Sequence, residues 1–551
     1  MDAEQLRAEL ISLIWSLKIA VERNPLAVPG VSFVHFNSML RDEHYRKTVL
    51  STCAQAGHAE IADLADQARA IDIPGQLIKR PERDTQATTA TPAQRAQTGE
   101  TAPASQAPPP PASTPARAGR ALPLIAIGLL AVFSGMVIAV NDWLSERGPT
   151  IVSGSINQST TWDSSISYVL DGMVFVESGA TLTIRPGTQV FGKPGSALVV
   201  TRDAKINAQG TRQEPIVMTS VKPAGSRQRG DWGGLVLLGN APLNTGPSHI
   251  EGIPEHDPRG GFGGNAEQDS CGVLKYLRIE FAGYEISQDN ELNGLTLGGC
   301  GAATLISHVQ VHMGLDDGIE FFGGSAGLSH AVISNPGDDG LDWDRGWHGN
   351  GQFIVVQMGA DEGDNAIEAD SLKSDNDALP RSRPTLSNVT LVGAKTQRAQ
   401  RGLLLRRGTG GDLRNFMITG FSREALDVRD QATARLLASN ELQMQGWLVS
   451  DPAGRFFADE SGEADDDGGF DEASALPAER HNKLTRLPTL GSVAQLAQAP
   501  NFTPALNSLA DSVHTSIPQG EFWDEGANYA GAVRPGERNS WLDGWTAYPM
   551  N

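Results

Sequence analysis

Three cysteines in 551 residues are too few for a disulfide-built scaffold, and no second Cys or His stands at zinc-ligand spacing from Cys53. Basic side chains are also scarce. Against 65 Asp and Glu there are 44 Lys and Arg, a formal charge of −21 that excludes nucleic acid and anionic lipid as natural partners of the folded body. Residues 1–120 hold 13 of each sign, so the whole deficit lies beyond them. No long helix pattern fits from about residue 150 onward, which removes bundles and alternating α/β folds from consideration for most of the chain.

What is present is a phrase that returns. Asn293-Gly-Leu-Thr-Leu297, Asp317-Gly-Ile-Glu-Phe321, Asp339-Gly-Leu-Asp-Trp343, Asn365-Ala-Ile-Glu-Ala369, Arg401-Gly-Leu-Leu-Leu405 and Glu424-Ala-Leu-Asp-Val428 follow one another at steps of 24, 22, 26, 36 and 23 residues. Self-similarity at such periods signals a solenoid. Each copy sets a small residue at a bend and then alternates apolar, polar, apolar, as a strand with one buried face does. A second β-rich family keeps the same rhythm in Leu274 to Phe281, Ile306 to Val311, His330 to Ile333, Phe353 to Gln357, Asn388 to Val392 and Asn415 to Thr419. Stacked coils make a parallel sheet with right-handed crossovers. The sequence therefore predicts an all-β right-handed parallel β-helix over 150–430, followed at 431–551 by an acidic loop and a capping region.

Ahead of it, residues 1–80 read as a small helical domain. Leu6, Leu10, Leu13, Ile14, Leu17 and Val21 follow helical spacing, a second helix is expected from Asn37 or Ser38 to Ala56, and a third carries Ile61, Leu64, Ala65 and Ala68. This domain has no nucleophile, metal or phosphate-loop pattern. A Pro/Ala/Thr-rich linker occupies 81–120, and 121–141 is expected to be a transmembrane helix, because Ala121 to Val140 carries no charge over the length that crosses a bilayer. Arg117 and Arg120 before the segment, with Asp142 and Glu146 after it, place the N-terminus in the cytoplasm and the β-helix in the periplasm or outside the cell. In that arrangement residues 1–80 are free to meet a cytoplasmic partner.

Chemistry concentrates in the acidic coils. Ile319, Leu341 and Ile367 should point inward, so Glu320, Asp342 and Glu368 form an outward column with members about 5 Å apart. Three like charges at that spacing repel unless something neutralises them. Ca2+ would do so, with Asp317, Glu320, Asp339, Asp342, Asp364 and Glu368 as its oxygen ligands; the alternative is a solvated face whose Asp and Asn simply make turns. Carboxylates one or two coils apart also bracket the separations that glycosidases use. On that reading Asp316, Asp338 and Asp364 are the catalytic candidates, and Trp343, Arg345, Trp347 and His348 line a ligand site. Cys271 and Cys300 lie about one coil apart, close enough for a disulfide in an oxidising compartment, or else two buried thiols.

Several long blocks resemble a known family. Gly172 to Ser220, Arg229 to Pro242, Ile250 to Pro254, Gly272 to Gly324, and the endings Phe522-Trp-Asp and Gly544-Trp-Thr-Ala-Tyr548 are similar to a widespread set of bacterial secreted or lipid-anchored β-helix proteins of the pectate-lyase-like solenoid superfamily. The resemblance covers nearly all of 150–551. It implies the fold and no particular reaction, since such proteins are mostly without assigned activity. A head, linker and apolar segment here replace the cleavable signal or lipid anchor. The expected function is a membrane-anchored binding or scaffold module for a protein or glycan, requiring no cofactor, with Ca2+ as the candidate stabilising ion. A tethered polysaccharide lyase or glycoside hydrolase, and a transmembrane sensor acting through residues 1–80, are the alternatives.

Overall fold

The computed structural model describes residues 43–71 and 148–551, less 288–289, 396–398, 459–466 and 492–497, together with isolated positions between 6 and 39. The predicted membrane span at 121–141 lies outside the described residues, among which no helix is long and apolar enough to cross a membrane.

Alternation in the repeated phrase becomes a ladder in space. Leu295–Gly298, Ile319–Phe322, Leu341–Asp344, Asn365–Ala369, Arg401–Leu405 and Leu426–Val428 pair in parallel, with Leu295, Ile319, Leu341, Ile367, Leu403 and Leu426 in one register. The second family forms a matching ladder from Gly272–Glu280, Leu305–His312, Gly327–Ser334, Asn350–Gln357, Thr385–Val392 and Gly411–Thr419. Among the described residues 24 strands join one sheet whose ladders are all parallel, the arrangement of a parallel β-helix. It fits the right-handed winding expected of parallel crossovers. The small residue of the phrase is required by close approach: a Cβ on Gly318 would sit 2.3 Å from Ile333 Cγ2 and 2.7 Å from the Gly340 carbonyl oxygen.

The inward residues make one continuous core along the cylinder. Aromatic side chains stack within it, Phe321 on Trp347 at 4.1 Å and Phe416 on Trp447 at 4.7 Å between centroids. Each buried indole N–H finds an acceptor: Trp347 the Ala326 carbonyl at 3.1 Å, and Trp447 that of Leu413 at 2.9 Å.

Two features differ from the sequence expectation. Coils continue past residue 430 through the helix Gln431–Ala438 and the parallel strands Leu442–Gln445, Leu448–Ser450 and Lys483–Thr485. The residues from Phe502 to the C-terminus do not cap the end. They form an irregular strap that retraces the side of the cylinder, because polar side chains of successive coils capture its main chain: Asn415 bonds Thr515, Gln352 bonds Asp524, Asn388 bonds Ala527 and Tyr529, and Gln310 bonds Ala547.

In the head, Glu43–Ala54 (α1) and Ala59–Ala70 (α2) are helical. Leu10, Ile14, Leu17 and Val21 bury with Cys53, Ile61, Ala65 and Ala68, as their helical spacing implies.

Candidate functional site: a buried acidic column

The outward residues of the first ladder run Phe175, Val199, Val236, Thr296, Glu320, Asp342, Glu368, Leu404, Asp427. The column is apolar at its start because the excursion 239–271 folds over it, packing Leu243, Ile250, Ile253 and Phe262 against Val199, Val236 and Phe322. The same excursion reaches on to the acidic coils, where the Asn244 N–H donates to the Arg345 carbonyl at 3.0 Å and its amide donates to the Ser371 carbonyl at 3.1 Å. Glu320 and Glu368 are consequently only 8% and 5% exposed. The solvated face expected as one alternative is therefore corrected for Glu320 and Glu368: they leave the cylinder as alternation requires but enter a covered layer rather than water, with Asp342 between them half-buried.

Turn residues one step earlier build a second column. Asp317 Oδ1 accepts the Asp339 N–H at 2.9 Å, Asp339 Oδ1 accepts the Asn365 N–H at 2.7 Å, and the Asn293 amide donates to Glu320 Oε2 at 2.5 Å. In three groups the carboxylate oxygens lie within 4.8 Å of one another: Asp316, Asp317 and Asp338; Asp317, Glu320 and Asp342; Asp339, Asp342 and Glu368. Burial, reinforced by neighbouring carboxylates, holds Asp317, Glu320, Asp339 and Asp342 well above the ordinary carboxylate range. Burial likewise pushes Asp344 up to about 7, despite Arg345 acting the other way.

The two halves of the column differ in countercharge. Arg406 binds Glu368 and, at 2.8 Å, Asp370, while Arg407 also binds Asp370. On the other half, burial is the leading influence on Asp317 and Glu320, and the charges that act on them next are all carboxylates. Two buried oxygens there have no hydrogen-bond partner, Asp342 Oδ1 and Asn293 Oδ1. A set made only of oxygen donors, negatively charged and partly unsatisfied, suits a hard cation such as Ca2+. Five of the six predicted ligands fall in these groups; Asp364 does not, and faces Arg401 at 3.5 Å.

The predicted ligand-binding quartet is not brought together as a site. Trp343 and Trp347 are core residues with no exposed surface, 5.5 Å apart between centroids, so neither can stack on a sugar. Their position follows from register, since Trp343 shares the inward column of Phe321. Arg345 lies 4.8 Å over the Phe322 ring and pairs with Asp344 at 3.4 Å. His348 bonds Glu267 at 2.9 Å. Asp316, Asp338 and Asp364 are half-buried turn residues, one per coil. Sequence reasoning missed Glu251, Asn293, Asp344, Asp370 and Arg406 as members of the cluster. Asn293 and Asp344 stand in the repeating phrase and could have been found by extending its columns, whereas Glu251 sits in the non-repeating excursion and carries no such signal.

Cys271 and Cys300 are joined in a disulfide with Cα atoms 5.7 Å apart, closing a 29-residue separation across the base of the excursion. Mass spectrometry of protein purified without reductant is expected to find their peptides linked. Reduction should lower stability by about 3–4 kcal/mol on the chain-entropy account. Two freely alkylated thiols in native protein would overturn the pairing.

A family model described as a pectate-lyase like beta helix domain matches residues 154–473. Comparison with curated proteins returns no match, and neither does comparison with solved structures.

Proposed function

The chain belongs to the pectate-lyase-like β-helix family, and on that footing we propose that it is a membrane-anchored binding or scaffold module whose acidic column holds a divalent cation, Ca2+ by its chemistry, rather than a sugar-cleaving enzyme. The observation that carries the reading is the clustering of buried Asp317 and Glu320 with half-buried Asp342, the charges acting on the first two being carboxylates. A polysaccharide enzyme presents its carboxylates to an open cleft that a polymer can enter. Here Glu320 and Glu368 are covered and Asp342 is half-buried, and cavities of about 500 and 430 Å3 are lined by other residues, one around Lys373 and Arg435, the other around Arg227 and Arg229.

In this proposal Asp317, Glu320 and Asp342, with the side-chain oxygen Oδ1 of Asn293, would hold the ion, which supplies positive charge beside Asp317 and Glu320 that Arg406 gives only to Asp342. The ion ties coils together and fixes the excursion over them, leaving the outer acidic surface to meet a basic protein or a neutral glycan. The uncharged 121–141 segment would anchor the β-helix on the far side of the inner membrane, where Cys271 and Cys300 find the oxidising conditions their bond needs. The head would remain in the cytoplasm.

Calorimetry on purified protein in detergent is expected to show saturable calcium binding with proton release, because the carboxyls involved hold protons until the metal displaces them. At a free calcium concentration of 100 times Kd the stabilisation should be about 2.7 kcal/mol. Glu320→Gln with Asp342→Asn should remove both effects. Without metal the sign of the pH dependence is set by the raised carboxyls: stability should fall as pH rises from the unfolded carboxylate range toward about 7, where Asp344 ionises. An identical melting curve in calcium and in chelator would sink the cation reading.

A further inference from the structure

We propose that the C-terminal strap, from Phe502 to Asn551, is a detachable cover released by acid, and that its trigger is the stacked imidazole pair His308 and His330. One column of the second ladder reads Tyr276, His308, His330, Phe353, Asn388, Asn415, and all six residues adopt a left-handed backbone, with φ between 47° and 60°. Asn tolerates that conformation, but Tyr, His and Phe do so at a cost that surrounding contacts must offset. The contacts are a stack and its cover. His308 lies 4.3 Å from Tyr276 and 4.3 Å from His330, the two imidazoles within 7° of parallel, and His330 lies 4.7 Å from Phe353. Strap residues Trp541 and Trp545 stand edge-on to this row, Trp541 at 5.1 Å from His330 and Trp545 at 5.8 Å from His308.

Apart from the His312 bond to the Pro549 carbonyl, the side-chain hydrogen bonds that hold the strap are insensitive to mild acid. Gln310, Gln352 and Asn415 each form a two-way pair with one strap residue, donating to its carbonyl and accepting its N–H: Ala547 at 2.8 and 2.9 Å, Asp524 at 3.2 and 2.8 Å, Thr515 at 3.1 and 2.7 Å. Arg212 and Arg278 donate to the carbonyls of Ser540, Asp543 and Trp545. Amide and guanidinium side chains that bond main-chain groups do not depend on the side chains of what they hold, so the covered face is built to hold a polypeptide. Phe353, Val332, Val355 and Val392 would be bared when the strap leaves.

Protonation acts against this cover. The ring Nδ1 atoms of His308 and His330 are engaged by Ser307 and Ser329 at 2.8 and 2.6 Å. Lys275 and Arg212 face His308 from the ladder and from the preceding loop, and His330 faces it from the next coil; Asp543 on the strap acts on Tyr548. His312, bonded to the Pro549 carbonyl at 2.7 Å, is flanked by Arg229 and Arg278. Two imidazolium rings 4.3 Å apart among these cations repel each other and the site. Burial holds His308 down at about 3 and His330 and His312 at about 4. Since these folded values lie below the ordinary histidine value, the cover is fully stabilised above about pH 6.5 and weakens as pH falls from there toward 4.

The test uses the full chain with a protease site inserted after the exposed Gly491, cut in the folded state. At pH 7.5 the C-terminal fragment should co-elute with the body. At pH 4.5 it should separate while the β-sheet circular dichroism persists, and it should rebind when pH 7.5 is restored. His330→Phe, which extends the stack by the residue type already present at Phe353, should move the release midpoint down by about one pH unit; His308→Phe with His330→Phe should move it further. Retention of the fragment at pH 4.5, an unchanged midpoint in the His330→Phe chain, or release only together with loss of the sheet signal would each overturn the proposal.

Discussion

Arg406→Ala is expected to lower the stability of the β-helix by about 3–5 kcal/mol at pH 7.5, the loss typical of removing one partner from a buried ion pair. The guanidinium serves Glu368 and Asp370, whose side chains are 7% and 6% exposed and have little access to water in its place. Asp342 lies next in the column and also feels Arg406, so its charge loses compensation as well. Arg407→Ala is the internal control: Arg407 is 29% exposed and touches only the Asp370 end of the cluster, so its loss should cost about 1 kcal/mol or less. The defect in the Arg406 variant should shrink as pH is lowered from 7.5 to 5.5. A carboxyl raised by burial gains stability on protonation, and the variant has more such carboxyls than the parent. Denaturant titrations with an unchanged m-value would attribute the loss to stability alone. If Arg406→Ala costs less than 1 kcal/mol, the carboxylates it contacts are already neutral in the folded chain, and the countercharge argument fails with it.

The two ladders were legible because solenoid periodicity is local: each coil repeats the same requirement for an inward apolar residue, an outward residue and a small residue where coils approach. The shared register of Leu295, Ile319, Leu341, Ile367, Leu403 and Leu426 is that periodicity in space. What lies over the ladders was not legible. Whether Glu320 meets water or a roof depends on an excursion that begins more than fifty residues earlier and has no repeat of its own. Alternation tells in from out along a strand, but it cannot tell solvent from a second layer. The strap is the same case: it has no period, and the side chains that bind it read in the sequence only as polar positions in strands, Gln310, Gln352, Asn388 and Asn415. The tryptophans misled for a related reason. In an acidic, His- and Arg-bearing coil they resembled a sugar platform, although Trp343 occupies an inward register position that periodicity alone assigns to the core.

Trp343→Ala separates those two roles by measurement, with an expected destabilisation of about 3–5 kcal/mol. Trp343 has no exposed surface, packs against Trp347, and donates its indole N–H to the Thr409 hydroxyl at 3.1 Å. Truncation leaves a cavity in the middle coils, where the rigid ladders on either side limit collapse, and it deprives a buried hydroxyl of its donor. Trp343→Phe keeps most of the volume but not the hydrogen bond, so it should fall between, at about 1–3 kcal/mol. A sugar-stacking tryptophan behaves in the opposite way: its removal abolishes glycan binding and leaves the unfolding midpoint where it was. Parallel denaturation and glycan-binding measurements on the two variants therefore decide the matter. Near-parental stability in Trp343→Ala would return the residue to the surface and reopen the carbohydrate reading of the acidic coils.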